Sequence, residues 1–216
     1  MSYSLIAHGI GLITTNPIDT TGADLLVVST SGGAETLTDS KSNTWTPITA
    51  YGPGGATPVS ELWYVRGGSV GAAHTFTANV GGFSIVAVSA FSGSAISPLD
   101  QETGGFTGAG TTSRQNGLIT PSENNELIVS MLSLSGDTSN TAIDSGFTLT
   151  DSMDAIAFVE YGGAMAYIIQ TTAAAVDPTW SWTSSQKNSG AVATFKAAAV
   201  ASTAAQRRLL YMKMGR

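Results

Sequence analysis

Internal repetition constrains this chain more than any other feature. Residues 22–46 (GADLLVVSTSGGAETLTDSKSNTWT) read as a strand, a Gly-rich loop, an Asp-Ser turn and a second strand carrying Trp45. A weaker copy follows: residues 24–28 (DLLVV) match 126–130 (ELIVS), 102 positions on. The turn Asp39-Ser40 with Asn43, Thr44, Trp45 and Thr46 is echoed by Asp144-Ser145 with Phe147, Thr148, Leu149 and Thr150. Residues 61–66 match 164–169, with Tyr167 answering Tyr64. Residues 74–79 match 178–183, with Trp180 answering Phe76, and 87–92 match 191–196, with Phe195 answering Phe91. Two copies are too few for a solenoid, which needs about three or more repeats. They suit one sandwich with approximate two-fold symmetry.

The segments themselves read as strands. Residues 25–28 form an apolar run too short for a helix, as expected of a strand buried on both faces. In residues 83–92 a period of two puts Ile85, Ala87, Ser89 and Phe91 on one side and Val86, Val88 and Ala90 on the other. Residues 4–14 give one or two extended segments, with Gly9 and Gly11 permitting a bend. Asp39, Ser40 and Asn43 supply turn chemistry, because short polar side chains bond their own backbone. Residues 98–116 (PLDQETGGFTGAGTTSRQN) lack strand character, and a loop of that length is unusual in a compact domain. They are read as a link between the halves.

The expected fold is therefore all-β, a jelly-roll-like antiparallel sandwich over residues 1–200. Its half-repeats span about 22–97 and 124–198 and are joined by 98–117. The 25 Gly and the low charged fraction of 11% agree with strands rather than helices. Residues 201–216 differ in character: Ser202 or Thr203 can cap a short helix, and the alternative is an extended tail. Isolated helices this short are marginal in water, so order there requires a packing partner.

Composition excludes several chemistries. With no Cys there is no disulfide, thiolate zinc site or thiol nucleophile, and two His make a His-based metal site improbable. The net charge of −6 is uneven. Arg207, Arg208, Lys213 and Arg216 lie at the C-terminal end and leave a body of about −10, which does not favour nucleic acid. Residues 3–13 have no basic start and contain His8, Gly9 and Gly11, so they do not read as a secretion signal. No run of about 18 apolar residues suggests a membrane span.

Each candidate site in the sequence also has a plainer structural role. His74 with Asp39 or Glu61 resembles an acid–base pair, but no spacing rule joins them, and a structural role is preferred. Asp137, Asn140 and Asp144 offer oxygens for calcium without the spacing of a calcium loop, so Asx turns account for them better. Asp100 and Glu102 are two apart in a Gly-rich stretch that holds no fixed carboxylate separation, unlike a glycosidase pair. Trp180 and Trp182 face the same way in a strand, either as core or as a platform for sugar rings, with core favoured; Trp63 is a further glycan candidate. Gly-rich runs at 52–55 and 104–110 lack the Lys and helix of a phosphate loop and are turns. No cofactor is expected. In the basic-apolar end, Arg207, Arg208, Leu209, Leu210, Tyr211, Lys213 and Arg216 suit docking on a partner protein.

At residues 22–28 (GADLLVV), 39–46 (DSKSNTWT), 61–65 (ELWYV), 72–77 (AAHTFT) and 120–129 (TPSENNELIV), the chain resembles a loosely defined family of β-sandwich modules. These occur in bacterial surface and extracellular proteins and in virion proteins of tailed bacteriophages. The resemblance covers roughly residues 19–198. It departs at Ser42, where Gly is commoner, and it brings no catalytic residues. A single module beginning at Met, without a secretion signal and ending in a basic-apolar segment, leans towards a virion. The expectation is a non-enzymatic structural protein, a capsid decoration or fibre component assembled in the host cytoplasm. Its partners would be other virion proteins and further copies of itself, with no nucleic acid or membrane. The alternative is a lectin-like module that binds cell-surface glycans.

Overall fold

The computed structural model describes residues 2–33, 36–54, 57–79, 84–136, 138, 140–155 and 161–199. They form thirteen strands: β1 (Ser4–Leu12), β2 (Leu25–Ser31), β3 (Thr36–Asp39), β4 (Thr46–Pro47), β5 (Ser60–Arg66), β6 (Phe76–Asn79), β7 (Ile85–Ser92), β8 (Ser94–Gln115), β9 (Glu126–Leu134), β10 (Ala142–Ile143), β11 (Thr148–Met153), β12 (Gly162–Gln170) and β13 (Thr179–Ala197). Among the described residues there is no helix. The protein is an all-β antiparallel sandwich. The expected C-terminal helix or tail lies outside the described residues.

The repeat is written in the strand order. The first main sheet runs β1-β7-β2-β5-β4. The second runs β8-β13-β9-β12-β11, with β10 set against the first part of β13. Each strand therefore has its counterpart, and all these pairings are antiparallel. This assigns residues 98–116 differently from the sequence reading. Except for Asn116, they are not a loop but most of β8, a 22-residue strand that stands where β1 stands in the first half. Gly104, Gly105, Gly108 and Gly110 hide it from propensity, which measures fit to a half-buried pleated surface. β8 is an edge strand, paired only with β13 among the described residues, so its composition reflects solvent rather than core.

The apolar runs occur where a strand is covered on both faces. All seven residues of β2 and all nine of β9 are buried. Leu25 and Val27 of β2 point inward to a central cluster with Leu62, Phe91, Leu127, Val129, Met131 and Phe195, which belongs to both halves. Leu26 and Val28 point outward to Trp45, Trp63 and Phe76, under the small β3-β6 sheet. In the second half Ile128, Leu132 and Leu134 point outward to Phe147, Trp180 and Trp182. The main sheets thus meet face to face, and each carries its own outer layer. Truncating one buried aromatic of the shared cluster costs about 3–5 kcal/mol.

A row of hydroxyls also crosses between the sheets. Ser60 Oγ donates to Ser133 Oγ, Ser133 Oγ donates to Ser31 Oγ, and Ser189 Oγ completes the row against Ser60, each at 2.9 Å. All four serines are buried. Ser31 pairs with Ser60 across one sheet and Ser133 with Ser189 across the other, so register alone aligns them. Buried hydroxyls without partners would oppose folding; bonded to one another they fix how the sheets are stacked.

Candidate functional site

Three places are candidates for a site among the described residues, two of them on the outer layers and one at a sheet edge. The first is a buried knot around Asp39. Asp39 ends β3 and faces Phe76 across β6, which brings His74 beside it although the two are 35 residues apart. His74 Nε2 lies 3.1 Å from Asp39 Oδ1, and both side chains are fully buried. The carboxylate accepts and the ring donates from Nε2–H, which leaves Nδ1 facing the Thr20 hydroxyl at 2.9 Å. The Lys41 and Asn43 N–H groups and Asn43 Nδ2 also donate to Oδ1, while Trp45 Nε1 donates to Oδ2 at 2.7 Å. Burial works to raise the pKa of Asp39, but hydrogen bonds from His74, Lys41, Trp45 and Asn43 outweigh it and hold the carboxyl below its usual range.

The line Asp39–His74–Thr20 has the order of a hydrolase relay, yet a relay must expose its hydroxyl to substrate. Thr20 and His74 are both fully buried, and the His74 ring is stacked on Phe76 at 4.2 Å. The arrangement closes the turn that the sequence marked as DSKSNTWT. Glu61, the other partner considered for His74, is buried on β5 opposite Thr30 of β2.

The second place is on the outer face of the second half, where β8, β13 and β9 run side by side. Lys196 Nζ lies 3.0 Å from Asp100 Oδ1. Ser122 donates to both oxygens of Asp100, through its N–H and its hydroxyl, each at 2.8 Å. Glu126, fully buried, accepts the Glu123 N–H at Oε1, whereas its Oε2 is buried without a hydrogen-bond partner. Burial foremost, together with the neighbouring Asp100 charge, pushes the Glu126 carboxyl up, against bonds from Glu123 and Thr194. Asp100 goes the other way: burial raises it, but Ser122 and Lys196 outweigh burial and hold it low. The hydrogen bond and charge of Asp100 push Lys196 up.

Asp100 and Glu102 do not act together. Between Leu99, opposite Phe195, and Glu102, opposite Ala193, β8 carries an extra residue, and this bulge turns the two carboxylates apart. Glu102 accepts from Thr49 at 2.5 Å and from Tyr51 at 3.4 Å. Burial and Glu102 push the Tyr51 phenol up to about 12.

The third place is a cleft of about 330 Å³ along the sheet edge, lined by Thr44, Thr46, Tyr64, Arg66, Ile96 and Leu99 among others. Arg66 spans one end, donating from Nε to the Ala95 carbonyl at 3.0 Å and from Nη2 to the Ser94 carbonyl at 3.2 Å. Tyr64 is held edge-on against Phe195. Ile96 projects beside it, 84% exposed, and Phe106 lies further along the same strand at 53%.

The tryptophan platform requires correction. Trp180 and Trp182 are 0% and 5% exposed and belong to the outer apolar cluster of the second half, so neither offers a ring face to a sugar. Trp180 takes the place of Phe76 and donates from Nε1 to Ser130 Oγ at 2.9 Å. Trp63 is likewise buried at 6%. Ser130 also accepts from Asn116, whose Nδ2 reaches the Met131 and Ala191 carbonyls as well. A Cβ on Gly190 would collide with Asn116 Oδ1, so glycine is required opposite that side chain. Sequence reading missed Asn116, which it had placed in the linking loop.

Of the calcium candidates, Asp137 lies outside the described residues. Asp144 accepts from the Thr179 N–H and the Ser145 hydroxyl, and Asn140 donates to Thr183. The docking residues Arg207, Arg208, Leu209, Leu210, Tyr211, Lys213 and Arg216 also lie outside the described residues. Among the described residues no three metal-ligating side chains converge, and no helix is long and apolar enough to cross a membrane. No family model matches the sequence, and neither a curated protein nor a solved structure does.

Proposed function

We propose that this chain is a non-enzymatic structural protein of a tailed-bacteriophage virion, a capsid decoration or fibre component that docks on other virion proteins and on copies of itself. The resemblance of its repeated motifs to virion modules supports the virion part. The observation that carries the docking part is β8. Its 22 residues pair on one side with β13 and on the other side with no strand among the described residues, while Ile96 and Phe106 stand out from it. Long unpaired edges are ready templates for another chain, and natural proteins that do not use them blunt them. Contacts of this kind, repeated on a symmetric particle, add by avidity, and each can be weak. The basic-apolar residues 201–216 are proposed as a second contact.

A lectin-like role loses its aromatic candidates with the burial of Trp63, Trp180 and Trp182. It would have to rest on the cleft beside Tyr64.

Sedimentation of the full chain tests the docking reading, run beside a version ending at Ala201 and an Ile96→Lys, Phe106→Lys double variant. The reading expects the full chain to associate with rising concentration and at least one of the two altered chains to remain monomeric. Equal association of all three chains would remove both proposed contacts. A monomeric full chain would remove self-docking.

A further inference from the structure

We propose that Lys196 and Asp100 are joined by an intramolecular isopeptide bond, formed with Glu126 as the proton-transfer group. The three side chains come from three adjacent strands and share one face. Phe195 and Leu127 are register partners and both point into the central cluster, so their neighbours Lys196 and Glu126 stand together on the opposite face. From the other side β8 delivers Asp100, whose carboxylate oxygen lies 3.0 Å from Lys196 Nζ. The Asp100 side chain is 5% exposed and Glu126 is fully buried, so the carboxyl groups are screened from bulk water. The buried Oε2 of Glu126, without a partner of its own, is accounted for by a proton that it shares with Asp100. A carboxyl and a carboxylate side by side hold one proton more readily than two charges.

The step balances without any co-reactant. The ammonium of Lys196 and the carboxylate of Asp100 exchange one proton within their ion pair, giving a neutral amine beside a carboxylic acid. Glu126 donates to an Asp100 oxygen and makes Cγ more electrophilic. Nζ then attacks Cγ, a Cγ–Oδ bond breaks, and the departing oxygen leaves as water after taking the second proton from nitrogen through Glu126. One Nζ–Cγ amide and one water replace the ion pair, with no net change in charge. Proximity favours the step, because the reacting groups are already in contact on a rigid sheet. The resting ion pair opposes it by keeping nitrogen protonated, so slow completion after folding is expected.

The first half serves as an internal control. Asp24 stands where Glu126 stands in the repeat, and its carboxylate accepts the Gly93 and Ser94 N–H groups instead. Ser92 stands where Lys196 stands, so no amine is present. The proposed bond ties the edge strand β8 to β13 and braces the strand proposed to carry docking, although it stands or falls independently of that role.

Intact mass spectrometry of the purified, denatured full chain tests this directly. The expected mass is lower than that of the sequence by one water molecule. Trypsin would then release residues 67–114 joined to 188–207, with no cleavage after Lys196. Lys196→Arg keeps the charge and is expected to restore the full sequence mass, and Glu126→Gln to slow or abolish the water loss in a folded chain. A wild-type chain that keeps the full sequence mass after prolonged incubation would overturn the proposal. So would water loss that persists in Lys196→Arg, or unchanged kinetics in Glu126→Gln.

Discussion

The two halves share a strand order and differ in what their outer layers bury. In the first, Asp39 gathers His74, Trp45, Asn43 and the Lys41 N–H into a knot sealed under β3 and β6. In the second, the matching Asp144 is exposed and accepts from Thr179 and Ser145. The buried polar contacts there move to Trp180, Ser130 and Asn116. The common part is the continuous apolar run, which a strand covered on both faces requires. The divergent part is polar, where one substitution changes the partners of all its neighbours. One backbone plan therefore carries two chemistries, and among the described residues it is the second half that places an amine beside a carboxyl pair.

This comparison can be broken. The largest effects are expected in the shared core. Phe91→Ala and Phe195→Ala fill corresponding places in the central cluster, and each should cost about 3–5 kcal/mol in urea unfolding. Both should shift a single transition. Two transitions, of which each variant moves only one, would mean that the halves unfold independently.

Next come the matched turns. Asp39→Ala strands the buried His74 and Trp45 donors and should cost about 2–4 kcal/mol, against about 1 kcal/mol or less for Asp144→Ala. Equal losses would erase the distinction between the halves. The pH dependence sharpens it. Folding holds Asp39 below its usual carboxyl range, so its contribution is complete above that range and is lost as pH falls through the folded value. Asp39→Asn should flatten the acid limb of the stability curve. Glu126 is raised, so its contribution is present in acid and is lost as pH rises through its folded value. Thermal denaturation across acid pH would detect the two opposite slopes. The smallest effect is expected at His8, which reaches Asp151 across the halves at 2.9 Å but is partly exposed. His8→Ala should cost under about 1 kcal/mol by urea titration.

How much of this the sequence disclosed follows from the same division. The runs at 24–28 and 126–130 announce strands, because burial on both faces leaves little choice but apolar residues. β8 gives no such signal: one of its sides faces solvent, and glycines and Pro98 fill it, so only its pairing with β13 makes it a strand. The match of Trp180 to Phe76 pointed to core, and both are fully buried. The Asp39–His74 and Asp100–Lys196 contacts join residues 35 and 96 positions apart, and no local pattern encodes a register. Asn116 was hidden inside the misread link.

The proposal that the chain is built into a virus particle has one direct test. Particles purified from the lysate in which the chain is made would be banded on a density gradient, probed with antibody against the chain, and imaged after gold labelling. The account expects the chain in the particle band, with label at regular positions on capsid or fibre. A chain confined to the top of the gradient, with unlabelled particles, would contradict it.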